Sequence, residues 1–168
     1  MYNHVLFPTD GSEAADAALD HAVDHARQYD AVLHVLFVAQ DDFGPSGLVH
    51  GDHDDIEQSD MVGEHDAGQS SGMTNEEPER LGAIAEHGET VVADVADTVG
   101  DDVTVETAVR SGNAYERILD YADEEGADLV VMGTHGRTGV DRYLLGSVTE
   151  KVVRTADVPV LTVRAKES

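Results

Sequence analysis

The chain has 168 residues, enough for one domain with a full hydrophobic core and too few for two typical domains. It carries 35 Asp and Glu against 10 Lys and Arg, a formal net charge of -25, so its surface would repel DNA, RNA and anionic lipid. Because 40% of its residues are hydrophobic and fall in runs, we expect a single folded domain over residues 1–168 rather than a disordered chain.

The charge also predicts a protein adapted to a salt-rich cytoplasm. Self-repulsion weakens the folded state in dilute buffer, whereas about 1 M salt shortens the Debye length to about 3 Å and screens the repulsion. The chain has no cysteine, which excludes disulfides and thiolate chemistry. No basic segment precedes the apolar run Val5-Leu6-Phe7, and no apolar stretch approaches 18 residues. We therefore expect a cytoplasmic protein with neither a signal peptide nor a membrane span.

The first 38 residues predict a β-α-β unit. Residues 4–8 form an apolar run typical of a buried strand, and Ser12 is a helix-capping residue type. Small and apolar residues then recur at spacings of three to four, which predicts a helix with a narrow apolar stripe: Ala15, Leu19, Ala22 and Ala26. Residues 31–38 (AVLHVLFV) predict the second strand.

A polar stretch from about residue 41 to 78 interrupts this pattern. It is rich in Asp, Gly, Ser, His and Asn, and no Lys or Arg occurs between Arg27 and Arg80. We interpret it as a flexible acidic insertion. Six of its side chains are of metal-binding types, but their spacing matches no standard site, so we expect no metal there: His50, His53, Asp54, Asp55, His65 and Asp66.

The second half predicts three helices and three strands. The helices are expected from a start signal at residues 75–78 to a stop at Gly100, over 114–125 and over 147–156, and the strands over 103–109, 128–132 and 158–163. Period-2 alternation indicates an edge position for the third strand, and apolar residues on both faces place the fourth in the centre. Alternating strands and helices specify an α/β, doubly wound parallel sheet with helices on both faces. Function is then expected in the loops after strands one and four.

The loop after the fourth strand is rich in glycine. Gly133 and Gly136 are followed, after nine residues, by Gly146 and Ser147 at the start of a helix. Glycines let backbone N–H groups close on an anion, and the helix N-terminus adds unpaired donors. Six of the ten basic residues fall in the last 36 positions: Arg137, Arg142, Lys151, Arg154, Arg164 and Lys166. This pattern indicates a phosphate chain as the ligand.

Simpler structural readings of the same residues stay open. In these readings the glycines only shape a tight turn, Lys151 and Arg154 only complement a helix C-terminus, and Asp10 only caps a helix. Neither a Walker A motif nor a Gly-x-Gly-x-x-Gly after the first strand is present, which excludes P-loop ATPases and ordinary dinucleotide dehydrogenases. No nucleophile, base and orienting group occur in a recognisable pattern, so an efficient hydrolase is not indicated.

Two motifs together resemble the universal stress protein family. They are residues 8–13 (PTDGSE) after the first strand and residues 133–147 after the fourth. The resemblance covers the chain outside the insertion and falls on the ATP-binding branch, with the acidity of haloarchaeal members. It implies a Rossmann-like, five-stranded parallel sheet of strand order 3-2-1-4-5, similar to the adenine nucleotide alpha hydrolases.

The resemblance implies a site for ATP, with or without Mg²⁺, at the ends of strands one and four. Asp10 matches a carboxylate on the ribose side of the nucleotide, with Pro8 and Thr9 in the same loop. Val38 matches the position whose backbone meets adenine. The other matched positions cradle the nucleotide or bring its phosphates to the helix N-terminus: Met132, Gly133, Gly136, Gly146, Ser147, Val148 and Thr149, with Arg137 as a phosphate partner.

The implied function is a nucleotide-binding regulatory module of the stress response, with no catalytic residue and at most weak ATP hydrolysis. The family resemblance also implies a homodimer formed through the last strand, whose apolar residues would otherwise pair without control: Val158, Val160, Leu161 and Val163. Two alternatives stay open. One is a slow ATPase or a nucleotidyl- or phosphoryl-transfer enzyme, and the other is a nucleotide-free dimeric interaction protein.

Overall fold

The computed structural model describes residues 1–40, 76–135 and 145–165. Five strands and four helices alternate within these ranges: β1 (His4–Thr9), α1 (Glu13–Tyr29), β2 (Val32–Ala39), α2 (Glu76–Val99), β3 (Val105–Ser111), α3 (Ala114–Glu125), β4 (Leu129–Gly133), α4 (Ser147–Thr155) and β5 (Val160–Val163). These are the predicted elements in the predicted order. Helix α2 begins at Glu76, within the start signal predicted at residues 75–78, and residues 41–75 of the predicted insertion lie outside the described ranges.

All five strands form one parallel sheet of order β3-β2-β1-β4-β5. The predicted α/β doubly wound fold and its strand order are confirmed. β3 lies at an edge, as its period-2 alternation predicts, and β4 lies in the interior, as its apolar residues on both faces predict. None of the helices in the described ranges has the length and apolar character needed to cross a bilayer.

The sheet is covered on both faces, and each face has its own apolar core. Successive side chains of a strand point to opposite faces, so Val5 and Phe7 pack on the α1 and α2 side, whereas Leu6 packs on the side of α3 and α4. These side chains are almost fully buried. Burial on both faces explains why the central strands read as continuous apolar runs.

The apolar stripe of helix α1 consists mainly of alanine and packs on the sheet. The four stripe positions predicted from spacing are all buried: Ala15, Leu19, Ala22 and Ala26. Alanine lets the helix axis approach the sheet closely and has the highest helix propensity. The helix ends at Tyr29, and the next residue, Asp30, caps it in a left-handed conformation with φ 54°.

Candidate functional site

The sheet opens between β1 and β4, the two strands at which the strand order reverses. The ladders of β1 with β2 and of β4 with β5 continue to Thr9 and Gly133, the last residues of β1 and β4. The ladder between β1 and β4 ends much earlier, at the pair Leu6 and Val130. The carboxyl ends of β1 and β4 therefore flank a gap. Doubly wound sheets bind their ligands at such a position.

The turn from β1 into α1 forms one wall of the gap. Gly11 N–H donates to Thr9 Oγ1 over 3.1 Å, and Ser12 N–H donates to the carboxylate of Asp10 over 3.0 Å. Gly11 has φ +75°, a conformation that favours glycine. Ser12 is the helix cap, since its hydroxyl accepts from Ala15 N–H over 3.4 Å. The reading of Asp10 as the cap of α1 is therefore wrong, and Asp10 is a half-buried turn residue beside the gap.

The opposite wall joins the end of β4 to the start of α4. Gly146 N–H donates to the carbonyl of Thr134 over 2.7 Å. The hydroxyl of Thr149, which is 3% exposed, donates to the carbonyl of Gly133 over 2.9 Å. Thr134 N–H in turn donates to the Val163 carbonyl over 2.9 Å, which anchors this wall to β5. The N-terminus of α4 is thus held against the carboxyl end of β4.

The first turn of α4 presents backbone donors. Gly146 is its N-cap residue and supplies no side-chain hydrogen bond to the helix. The amides of Ser147, Val148 and Thr149 lie in the first turn, where helix geometry provides no intrahelical acceptor. Together with the positive end of the helix dipole, such amides favour an anion. The side chain of Ser147 is exposed and that of Val148 is half-buried.

Gly133 has a packing role that its place in a glycine motif does not reveal. A Cβ atom at this residue would lie 2.6 Å from the carbonyl oxygen of Ala14 and 3.2 Å from the Ala14 Cβ. The absence of a side chain therefore lets the first turn of α1 approach the end of β4. This close approach brings the two walls of the gap together.

Apolar side chains lie on one side of the gap. Met132 belongs to the core cluster on the α3 and α4 face, and the partly buried Val38 and Val148 pack against this cluster. Pro8 is buried at the end of β1. A mainly apolar surface next to convergent polar groups is typical of small-molecule sites.

The predicted basic residues divide between described and undescribed parts of the chain. Arg137, Arg142 and Lys166 lie outside the described residues, as does Gly136 of the glycine motif. Lys151 Nζ lies 4.9 Å from the centre of the Tyr115 ring, and Arg154 pairs with Glu150 over 2.8 Å. Arg154 is in the last turn of α4, where a cation complements the helix dipole. For Arg154 the structure agrees with the reading of a residue that complements a helix C-terminus.

Two residues of the site, Thr134 and His135, were not among the predicted positions. Thr134 is buried and hydrogen-bonded through both its N–H and its carbonyl. Its hydroxyl lies 2.9 Å from Nδ1 of His135, which is half-buried. The sequence signal that could have found them is their position between Gly133 and Gly136. Their hydrogen bonds depend on the register of β5 and on the position of α4, and residue spacing shows neither.

Comparison with known proteins agrees with this arrangement. The sequence model of the universal stress protein family matches residues 1–164. Two universal stress proteins of Methanocaldococcus jannaschii, MJ0531 and MJ0577, are each 30% identical to the chain, with coverage of 98% and 100% of this chain and 83% and 98% of theirs. The solved universal stress protein UspA from Lactobacillus plantarum superposes with a TM-score of 0.74 at 26% identity, covering 97% of this chain and 98% of that one. The chain belongs to the universal stress protein family.

Proposed function

We propose that the chain binds ATP, with or without Mg²⁺, in the gap between β1 and β4 and acts as a nucleotide-dependent regulatory module of the stress response. The observation that carries this proposal is the 2.9 Å hydrogen bond from the Thr149 hydroxyl to the Gly133 carbonyl. It fixes the N-terminus of α4, an anion-attracting group, at the point where the strand order reverses.

Each wall of the gap suits a different part of the nucleotide. The first turn of α4 receives phosphate oxygens on the amides of Ser147, Val148 and Thr149. A carboxylate next to phosphates would repel them unless a cation lay between, so Asp10 is assigned to the ribose hydroxyls. The base is assigned to the apolar side, near Val38 and Met132.

Two solved proteins of the same fold support adenine nucleotides as the ligand class. One is a universal stress protein in complex with cAMP, with a TM-score of 0.58 and 24% identity. The other is a universal stress protein family member from Arabidopsis thaliana with AMP bound, with a TM-score of 0.58 and 16% identity. At these identities the likeness is one of fold. The support it gives is that this architecture accommodates an adenine nucleotide.

The proposal includes a homodimer formed through β5. This strand lies at the edge of the sheet, and Val160, Leu161 and Val163 are only half-buried in the single chain. An apolar edge strand with unpaired backbone groups favours pairing with a second copy. Light scattering in multimolar salt tests this part, with twice the mass of the chain expected and the mass of one chain contradicting it.

The nucleotide is tested by purifying the protein in multimolar salt, denaturing it with acid and identifying the released nucleotides by chromatography. Gly146→Val is the binding-site variant, because Gly146 has φ -57°, which other residues adopt readily, whereas any side chain at Gly133 would collide with Ala14. Gly82→Ala is the control, because a Cβ atom at Gly82 in α2 meets nothing within 4 Å.

Near-stoichiometric ATP or ADP in the wild type and in Gly82→Ala, lost in Gly146→Val, is the expected result. Turnover of ATP well above the level of the Gly146→Val preparation would favour a slow enzyme instead. An empty wild type that also fails to bind added ATP with Mg²⁺ would contradict the proposal and leave a nucleotide-free dimeric interaction protein.

A further inference from the structure

A fully buried histidine lies near the amino end of the sheet, at the opposite end of the strands from the gap. His34, in β2, is 1% exposed. Its Nε2 lies 3.0 Å from Nδ1 of His4, and its Nδ1 lies 3.1 Å from the Tyr121 hydroxyl. The same Nδ1 lies 3.6 Å from a carboxylate oxygen of Glu106. Strands β1, β2 and β3 and helix α3 thus all contribute a polar group to this point.

Two carboxylates converge on the imidazole. Glu106 is the direct register partner of His34 on the neighbouring strand β3, and Glu125 is the last residue of α3. One ligand atom from each of His34, Glu106 and Glu125 lies within 4.8 Å of the others. The Glu106 side chain is 56% exposed, so solvent reaches the group from one side. A buried nitrogen with two carboxylates at a solvent-accessible rim is a donor set for a cation.

The contact with His4 orients the imidazole for this role. When Nε2–H of His34 donates to Nδ1 of His4, Nδ1 of His34 carries the lone pair, and that lone pair faces Glu106 and the Tyr121 hydroxyl. Metal-binding histidines usually donate their second ring N–H to a neighbouring acceptor, which fixes both tautomer and ring orientation. In this tautomer His4 acts as a positioning residue.

The charged groups nearest the imidazole are carboxylates. Burial lowers the pKa of His34, and Glu106 and Glu125 oppose this effect. Burial, followed by Glu125 and Glu106, raises the pKa of Tyr121. The nearby cation, Arg110, lies 5.6 Å from the centre of the Tyr121 ring and pairs with Glu124 over 3.1 Å.

We propose that His34, Glu106 and Glu125 bind a divalent transition-metal ion, with Zn²⁺ as the best match and a water molecule or the Tyr121 hydroxyl completing the coordination. Bond lengths of about 2.1 Å place the ligand atoms of a tetrahedral zinc site about 3.4 Å apart. The ligand atoms now lie within 4.8 Å of one another, so the ion would have to draw some of them closer by up to about 1.4 Å. Because His34 is buried in the core, we expect the glutamate side chains to make this movement.

Such an ion would cross-link β2, β3 and α3. It lies at the amino end of the strands and is therefore separate from the proposed ATP site, and it does not depend on that proposal. The competing explanation is structural: His34 is a core residue bonded to Tyr121, and the glutamates belong to the acidic surface of a chain with net charge -25. The two explanations differ in whether Zn²⁺ binds once, tightly and through these three residues.

The test is a calorimetric titration of the chelator-treated full chain with Zn²⁺ in an excess of Mg²⁺, which occupies non-specific carboxylate sites. One equivalent of Zn²⁺ is expected. Glu106→Gln and Glu125→Gln should each lower the affinity at least tenfold, and His4→Gln by about tenfold. The matched control is Glu124→Gln, because Glu124 is adjacent to Glu125 but pairs with Arg110, and it should leave the affinity unchanged. A triple variant of the insertion, with His50→Asn, His53→Asn and His65→Asn, should also bind one equivalent of Zn²⁺.

A spectroscopic readout separates ligation from stability. Co²⁺ should give the intense visible absorption of a four-coordinate ion in the wild type and in Glu124→Gln, and lose it in Glu106→Gln and Glu125→Gln. The test relies on the glutamate variants because a substitution of the buried His34 would disturb the core. The proposal would be overturned if Zn²⁺ bound weakly, with several equivalents, to the wild type and all these variants alike. It would also be overturned if Glu125→Gln gave the same cobalt spectrum as the wild type.

Discussion

The hydroxyl of Thr149 and the carbonyl of Gly133 are joined by a buried hydrogen bond of 2.9 Å, although the two residues are 16 positions apart. The bond links the first turn of α4 to the last residue of β4. A second bond of 2.7 Å, from Gly146 N–H to the Thr134 carbonyl, runs beside it. Together they hold the helix N-terminus at the gap in the sheet, so the proposed phosphate site depends on them.

Thr149→Val keeps the size of this side chain but removes its donor. The Gly133 carbonyl then loses a buried partner, which we expect to lower the free energy of unfolding by about 1–3 kcal/mol. Because the helix N-terminus loosens, ATP affinity should also fall, by roughly tenfold. Guanidinium unfolding and calorimetric titration measure the two effects. Thr149→Ser keeps the hydroxyl and should bind ATP nearly as well as the wild type. Wild-type ATP affinity in Thr149→Val would contradict the role of this hydrogen bond in holding the helix N-terminus at the gap.

Two glycine-to-alanine substitutions should have opposite effects on stability. In Gly133→Ala the new Cβ would lie 2.6 Å from the backbone oxygen of Ala14, so we expect a loss of about 1–3 kcal/mol. In Gly82→Ala the Cβ meets nothing within 4 Å in an exposed part of α2, so helix propensity should add about 0.5–1 kcal/mol. Parallel unfolding curves test the pair. A Gly133→Ala protein as stable as the wild type would mean that α1 can move away from β4 at Ala14 without loss of stability.

The elements and their order were predictable because burial on both faces of a sheet leaves a local pattern in the sequence. The packing role of Gly133 was not, since it depends on how closely Ala14 approaches from another element. The choice between Asp10 and Ser12 as helix cap was also open, because both residue types cap helices and only the position of Ala15 N–H decides.

The histidine cluster illustrates the same limit. In the sequence, His34 is one polar residue inside an apolar run, and spacing gives no reason to associate it with acidic residues. The β2–β3 register brings Glu106 opposite it, and the packing of α3 brings Tyr121, 87 positions away, against its other side. Contacts between elements so distant in sequence are properties of the tertiary structure.

Asp128 should make stability depend on pH in acid. Its carboxylate accepts hydrogen bonds from the backbone N–H groups of Asn3 over 2.7 Å and His4 over 3.1 Å, and these bonds lower its pKa. Since the folded pKa lies below the unfolded value of about 3.9, the carboxylate stabilises the fold above about pH 4. This contribution is lost as the pH falls through the folded pKa.

Asp128→Asn keeps an acceptor but removes the charge, so it should be less stable than the wild type by about 1 kcal/mol near pH 7. The difference should vanish below the folded pKa, where the wild-type side chain is protonated. Denaturant unfolding across this pH range measures it, with Asp123→Asn on the exposed surface of α3 as the control. A difference that stays constant down to the acid limit would contradict the charge-based explanation.

Salt should stabilise the protein, and α1 shows one cause. Asp16, Asp20 and Asp24 follow one another at intervals of four on its exposed surface, where like charges destabilise a helix by about 0.2–0.5 kcal/mol per pair. The chain as a whole carries a net charge of -25. We expect its melting temperature to rise from dilute buffer to about 2 M KCl, because at about 1 M salt the Debye length is already only about 3 Å.

Asp20→Asn separates charge screening from other effects of concentrated salt. Because Asp20 takes part in both pairs, its neutralisation should raise stability in dilute buffer by about 0.4–1 kcal/mol and have almost no effect in 2 M KCl. Thermal melts of both proteins at the two salt concentrations provide the comparison. If the wild type melts at the same temperature in both, self-repulsion does not limit its stability, and the prediction of a salt-rich environment loses its physical basis. If salt stabilises both proteins equally, screening along α1 is not the cause.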